Sequence, residues 1–332
     1  MKAKEISLRP LGGSGIMAST IGQGTWAMGG WMWGGTDEAQ SVKAIRAAID
    51  EGVTLIDTAP AYGLGKAEEI VGKAIAGRRG EVVVATKCGL VWHTDKGTHF
   101  FDEHGKKVHR HLGRDSIFFE VEQSLRRLRT EYIDLYITHW QDATTPVAET
   151  MGALLDLKRQ GKIRAIGVSN VSPETLREYI EIGPVDAIQE RFSMIDRGIE
   201  ADLLPICREN DVSVLSYSSL ALGLLSGKIG PSRTFEGDDQ RKDDPRFSPA
   251  GLERVAAFMR EVEPVAAARQ ATPAQIVIAW TIARPGITYA LCGARNAGQA
   301  AENAAAGRLS LSADEIALID AAIENHLAGI DG

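Results

Sequence analysis

Short runs of β-branched and aliphatic residues recur along the chain. Each is followed by a loop and then by a segment whose apolar residues fall three or four apart. The runs occupy residues 53–56, 82–85, 133–137, 163–168, 185–188, 212–215 and 287–291, with a weaker one at 20–22. Most are apolar on both faces rather than alternating, as expected of parallel strands buried between an inner core and covering helices. Val42, Ile45 and Ile49 mark one helix, which Gly52 ends; Ile117, Val121, Leu125 and Leu128 mark another. Thr272–Gln275 and Ser312–Glu315 each predict an N-terminal capping box, the first with proline at the first helical position. Eight strand–helix units without a domain-breaking linker predict a (β/α)8 TIM barrel, one domain over residues 1–332 with long loops at its C-terminal face.

A doubly wound nucleotide-binding sheet is the competing architecture. Gly22-Gln-Gly24-Thr-Trp-Ala27 fits its G-x-G-x-x-A fingerprint. In that fold the glycines open a helix directly, whereas here a second glycine-rich stretch, 28–35, intervenes. The barrel is the better reading. Two segments break its rhythm, 89–114 and 219–250, and both are expected to be substrate and cofactor loops. The basic cluster at 106–111, with Lys106, Lys107, His109, Arg110 and His111, reads as a solvated loop.

Composition narrows the class. The chain has 332 residues and a net charge of −7, and it carries neither a basic tail nor a clustered acidic tail, so nucleic acid and anionic membranes are not expected partners. No apolar stretch approaches the ~20 residues of a membrane span. The polar start, MKAKEISLRP, has no secretory signal. Cys88, Cys207 and Cys292 are too scattered for a disulfide framework or a metal site, and Cys88 is expected to pack rather than react. A cytoplasmic protein with reduced thiols and no metal is the expectation, monomeric by default.

In a barrel the chemistry lies where strands run out into their helices. Those positions hold Asp57, Lys87, His139, Ser169, Asn170, Gln189 and Tyr217, with Tyr62 in the loop after Asp57 and Arg295 after the last strand. Singly, each has an ordinary structural explanation. Together they form a proton-transfer device. Tyrosine, with a reference pKa near ~10, is a reluctant acid at neutral pH. A neighbouring ammonium, Lys87, makes its proton easier to release, and Asp57 fixes the lysine. His139 can orient a carbonyl oxygen by donating a hydrogen bond. A strand-end lysine also suits Schiff-base chemistry, but Asp57 argues for a charged, paired side chain instead.

These motifs closely resemble the aldo-keto reductases over essentially the whole chain, and especially bacterial members linked to general stress and inositol catabolism. The matching stretches are 52–63 around Asp57 and Tyr62, Ala85-Thr-Lys87, 132–139 ending in His139, and Gly167-Val-Ser169-Asn170. The resemblance implies that Tyr62 is the general acid, Lys87 and Asp57 its tuners, and His139 the partner that orients the carbonyl. It implies that Ser169, Asn170 and Gln189 hold a nicotinamide carboxamide and that Tyr217 stacks on the ring. Gly223, Leu225, Ser226 and Lys228 match a pyrophosphate-embracing loop, with Thr25, Trp26, Ser218 and Leu220 alongside. Gly293, Arg295, Gln299, Glu302 and Asn303 match an adenosine-phosphate motif. Arg295 suits a 2′-phosphate, so NADP(H) is the preferred cofactor, with NAD(H) possible. Cys292 stands where relatives often carry proline. Trp26, Trp92 and Trp140, with Tyr62 and His139, form the implied substrate pocket; Phe192 replaces a frequent tyrosine and carries no assigned contact. The implied reaction is reversible reduction of small aldehydes or ketones to alcohols, with a slow cofactor-binding sensor of the same fold as the alternative.

Overall fold

The computed structural model describes residues 5–230 and 232–330. Residues 1–4, part of the polar start, lie outside the described residues, as do Pro231 and the last two positions of the expected 1–332 domain. The chain opens with an antiparallel pair, β1 (Leu8–Pro10) and β2 (Met17–Ser19), and continues through β3 (Ile21–Gly24), α1 (Glu38–Asp50), β4 (Leu55–Asp57), α2 (Lys66–Ala74) and β5 (Val83–Cys88). A side sheet follows, made of β6 (Leu90–Val91), β7 (Thr98–Glu103) and β8 (Lys106–Arg110). Next come α3 (Arg114–Leu128), β9 (Ile133–Thr138), α4 (Val147–Arg159), β10 (Ile163–Ser169), α5 (Pro173–Ile182), β11 (Ala187–Arg191), α6 (Leu203–Glu209) and β12 (Ser213–Tyr217). The chain finishes with α7 (Pro249–Arg269), α8 (Pro273–Ala283), β13 (Tyr289–Gly293), α9 (Ala297–Ala306) and α10 (Ala313–His326). Strands β3, β4, β5, β9, β10, β11, β12 and β13 pair in parallel and close into the expected eight-stranded barrel.

Alternation along the strands decides which side chains enter the barrel. Leu55, Val83, Ala85, Leu135, Ile137, Ala165, Ala187, Leu215, Tyr289 and Leu291 form the inner cluster, while Ile56, Val84, Tyr136, Ile166, Ile188, Val214 and Ala290 pack under the helices. Both faces are therefore apolar, as the runs predicted. Two steps beyond each inner residue, the same parity aims Asp57, Lys87, His139, Gln189 and Tyr217 at the barrel axis. At the opposite end, Leu11, Ile16 and Ala18 of the β1–β2 hairpin plug the barrel, a closure that no hydrophobic run announced.

Two expectations need correcting. Every barrel strand runs one or more residues further toward its C-terminus than its apolar run, because backbone pairing continues into the polar residues of the rim. The basic cluster at 106–111 is not a solvated loop. Most of it is β8, the central strand of the side sheet, with Val108 and His109 buried. Segment 219–250 is a long connection from β12 to α7 that contains three short 3-10 turns. Both predicted capping boxes form, at Thr272 and Ser312.

Two glycines bring the loop after β3 against the loop after β4. A Cβ on Gly29 would lie 2.5 Å from the Tyr62 carbonyl carbon, and one on Gly63, which has φ of +66°, would lie 2.3 Å from the Gly29 oxygen. Only glycine permits that approach. Helix α3 is tied to the end of β5 by a buried carboxyl: Glu120 accepts from the Gly89 amide at 2.9 Å and the Ser116 hydroxyl at 3.2 Å. Burial pushes the Glu120 pKa from 4.5 up to about 8. The folded chain thus keeps a proton that the unfolded chain releases, so stability falls as pH rises between about 4.5 and 8, by up to about 1.4 kcal/mol per pH unit. In urea unfolding, Glu120→Gln is expected to lose less stability than the native chain between about pH 5 and 8. Equal losses would mean that the carboxyl is already ionised at neutral pH.

Candidate active site

The C-terminal rim gathers the predicted residues around one buried cation. Lys87 is fully buried, and its ammonium donates to Asp57 Oδ1 at 2.8 Å, to the Thr58 carbonyl at 2.8 Å and to the Tyr62 hydroxyl oxygen at 3.2 Å. Three N–H bonds meet three acceptors. The Tyr62 oxygen accepts from lysine, so its own proton is free to point elsewhere. The His139 ring stands edge-on to Tyr62 with centroids 5.7 Å apart. Thr25, from the loop after β3, donates its hydroxyl to the Asp57 carbonyl at 2.9 Å and fixes the β4 end from the other side.

Burial dominates the ionisation of this group. It raises the Tyr62 pKa well above the usual phenol value, and the Asp57 charge adds to the effect. It pulls the Lys87 ammonium down, against the opposing pull of Asp57 and of Glu68 behind it. His139 is held well below the usual imidazole range by burial and by the Lys87 charge, so it is neutral at pH 7. Lysine stabilises the phenolate, but desolvation outweighs it and the resting group is a phenol.

A second layer lies beneath. Gln189 donates its amide to Asp57 Oδ1 at 2.8 Å. Ser169 gives its hydroxyl proton to the Gln189 carbonyl at 2.6 Å, and Asn170, at φ +55°, donates to the His139 carbonyl at 2.8 Å. Tyr217 donates to Asn170 Oδ1 at 2.9 Å. One hydrogen-bonded chain thus links β12, β10, β11 and β4 across the barrel mouth.

The loop after β12 turns sharply. Ser218, Ala221, Leu222 and Gly223 all have positive φ, and the Ser226 hydroxyl donates to the Gly223 carbonyl at 2.6 Å. Leu220 packs against the outer core and Leu225 is buried within it. Lys228 forms an ion pair with Glu302 on α9, so this loop meets the last strand–helix unit. There Asn303 donates to the Gly293 carbonyl at 3.1 Å, and Gln299 accepts from the Arg295 amide at 2.8 Å. Arg295 itself is exposed and donates to the Trp33 carbonyl at 3.2 Å.

Of the three predicted pocket tryptophans, Trp92 and Trp140 pack in one cluster with Phe100 and Phe101, and Trp26 stands against Tyr62. Trp26 stacks on Tyr62 with centroids 6.3 Å apart, and Trp33 abuts it edge-on at 5.4 Å. Trp140 packs on Phe100 of the side sheet at 5.3 Å. Trp92 lines a cavity of about 150 Å³ with Phe119, Glu120 and Arg127. Phe192 stacks on Trp280 within the core. All three cysteines are buried free thiols, and among the described residues no cluster suits a metal ion. No helix among the described residues is long and apolar enough to cross a membrane.

Several contributors carry no motif. Glu68 on α2 accepts from the Thr86 hydroxyl and from Arg127 Nε, both at 2.6 Å, and ties the Tyr62 loop to the Lys87 strand and to α3. Asp238 accepts from the Met32 and Gly34 amides at 2.9 and 3.2 Å, which straps segment 219–250 over the loop after β3. The parity of its residues on α2 was the only signal that could have marked Glu68 as inward; nothing local marked Asp238.

Comparison with known proteins agrees with this geometry. The sequence model of the aldo/keto reductase family matches residues 20–324. The NADH-specific methylglyoxal reductase of Escherichia coli (strain K12) is 40% identical over 309 residues, 91% of this chain and 94% of that protein. The structure of the glycerol dehydrogenase AKR11B4 from Gluconobacter oxydans superposes with a TM-score of 0.87 at 40% identity, covering 98% of this chain and 97% of that one. An aldo/keto reductase from Klebsiella pneumoniae, solved in complex with NADP and acetate, gives a TM-score of 0.71 at 31% identity over 98% and 96% of the two chains. With an eight-stranded barrel and the Asp57–Tyr62–Lys87–His139 arrangement at its rim, the chain belongs to the aldo/keto reductase family.

Proposed function

We propose that the chain, read as a single cytoplasmic domain over residues 1–332, is an NADP(H)-preferring carbonyl reductase acting reversibly on small aldehydes and ketones. The observation that carries this reading is the donor bond from Lys87 to the Tyr62 oxygen, which leaves the phenol proton directed at whatever lies above the pair.

The rim fits a nicotinamide dinucleotide. The Tyr217 ring faces the barrel mouth, a Cβ on Gly293 would meet nothing within 4 Å, and the left-handed turn at Ala221–Gly223 suits the close approach of phosphate oxygens. Lys228 and the N-terminus of α9 add positive potential. Tyr217 would stack on the ring, and Ser169, Asn170 and Gln189 would hold the carboxamide; the present bonds of Gln189 to Asp57 and of Ser169 to a carbonyl would then exchange or be shared. When bound, the cofactor supplies the hydride.

The protein's own residues then move one proton. A substrate carbonyl oxygen accepts from the Tyr62 hydroxyl and from the neutral His139 imidazole, which fixes its orientation. As negative charge develops on that oxygen, Tyr62 passes its proton to it. The phenolate left behind is stabilised by the Lys87 ammonium, whose position Asp57 and the Thr58 carbonyl set. In the oxidative direction the same phenolate takes the alcohol proton.

Cofactor preference rests on Arg295, whose planar fork suits a 2′-phosphate and whose bond to one carbonyl leaves donors spare. The methylglyoxal reductase relative is named NADH-specific, so the choice varies between relatives.

Two measurements test the reading. Tyr62→Phe is expected to lower turnover of short aldehydes by about 10²–10⁴-fold while cofactor affinity, read from fluorescence, stays close to native. Retained turnover would remove Tyr62 from its role. Arg295→Leu is expected to weaken NADPH binding about tenfold or more through loss of charge-assisted bonds, and NADH binding far less. Equal native affinities for the two, with neither altered by the substitution, would overturn the NADP preference.

A further inference from the structure

The side sheet inserted between β5 and α3 lies near the rim, and the proton-transfer group leaves it without a role. Its central strand ends at Arg110, paired with Leu90 on one side and Thr98 on the other. The guanidinium lies 3.9 Å from the Phe100 ring centroid and 4.8 Å from that of Trp140. Trp140 directly follows His139, whose ring is 5.7 Å from Tyr62. Phe100, Phe101 and Trp140 pack on the cluster of Ala61, Leu90 and Val108, so the aromatic group that holds this cation borders the residue just before Tyr62, and Phe101 extends it by stacking on Trp31 at 4.9 Å.

What distinguishes Arg110 is the lack of an acceptor. Its Nε is buried without a hydrogen-bond partner, and among the described residues its guanidinium meets only the two rings. Arg114, the next arginine along the chain, is by contrast ion-paired to Asp156. The carboxylate nearest in sequence to Trp140 is Asp142, which is already spent: it accepts from the Leu112 amide, the Thr144 amide and hydroxyl, and the Thr145 hydroxyl. Glu103 lies at the far end of the same hairpin, paired across from Lys106. Burial also pulls the Arg110 pKa down, though an arginine remains charged at any working pH. A half-buried cation whose donors are unmatched needs an anion to complete it.

We propose that Arg110 is a specificity-determining residue that binds a carboxylate carried by the carbonyl substrate, so that the site favours oxo-acids and carboxylated aldehydes over neutral carbonyls of the same shape. The inference rests on the reductase reading above. The planar fork accepts a carboxylate edge-on, while the faces that touch Phe100 and Trp140 hold the fork in place. The carbonyl end of such a substrate would then lie toward Tyr62 and His139.

The test is steady-state kinetics of the native enzyme and of Arg110→Gln and Arg110→Lys with 4-carboxybenzaldehyde and its near-isostere 4-nitrobenzaldehyde, with NADPH or NADH at saturation. The native enzyme is expected to favour the carboxylate in kcat/KM by about tenfold or more, the scale of a charge-assisted bond. Arg110→Gln is expected to collapse that ratio, chiefly by raising KM for the carboxylate, and Arg110→Lys to restore part of it. A native enzyme without the preference overturns the proposal whatever the variants do. So does a ratio that survives Arg110→Gln, with both substrates losing alike, because the arginine would then be only part of the scaffold. No native turnover of either aldehyde would overturn the reductase reading and this inference with it, an outcome distinct from turnover without preference.

Discussion

The rim is organised by one electrostatic requirement: a lysine ammonium sealed from water must find acceptors for all its protons. Burial of such a charge without partners costs several kcal/mol. Lys87 meets the demand with a carboxylate, a backbone carbonyl and a phenol oxygen. Each acceptor is thereby fixed. Asp57 is further held by Gln189 and the end of its strand by Thr25, while Glu68 adds a second negative charge without touching the ammonium. The close packing of Gly29 on Gly63 seats the loop that delivers Tyr62. Loss of any one of these would leave the buried cation or its partner unmatched, so the geometry holds as a unit.

The barrel makes that arrangement possible without special folding chemistry. Strand parity sends alternate side chains inward, and apolar ones fill the interior up to the level of Ala85, Ile137 and Leu215. The next inward positions are polar because they lie beyond that plug, where water and ligands reach from one side only. A single change of environment along the axis therefore divides stability from chemistry. The hairpin seal of Leu11, Ile16 and Ala18 closes the other end, so that only one mouth remains.

This division also explains what was legible in the sequence. The apolar runs gave the strands, the strand ends gave Asp57, Lys87, His139, Gln189 and Tyr217, and the helix caps at Thr272 and Ser312 were local enough to read directly. The side sheet was not legible. Its strands alternate weakly, and β8 owes its place to pairing with β6 and β7 and to docking of Val108 against Ala61 and Leu90, contacts set by tertiary structure. Gln189 and Ser169 were found, but their present partners depend on side-chain rotamers that no spacing encodes.

The ionisation of Tyr62 shows how opposing effects serve one task. Desolvation and Asp57 keep the proton on the oxygen, and the lysine bond pulls the other way. Were desolvation weaker, the group would lose its proton to solvent near the lysine and have none to give. Were the lysine absent, the phenolate produced by transfer would stand uncompensated in the same buried site, and the barrier would rise accordingly. The useful state is a phenol that holds its proton against water yet leaves a stabilised anion once a developing alkoxide takes it. Burial supplies the first condition and Lys87 the second, and only a closed mouth with one polar cluster at its rim supplies both at the same atom.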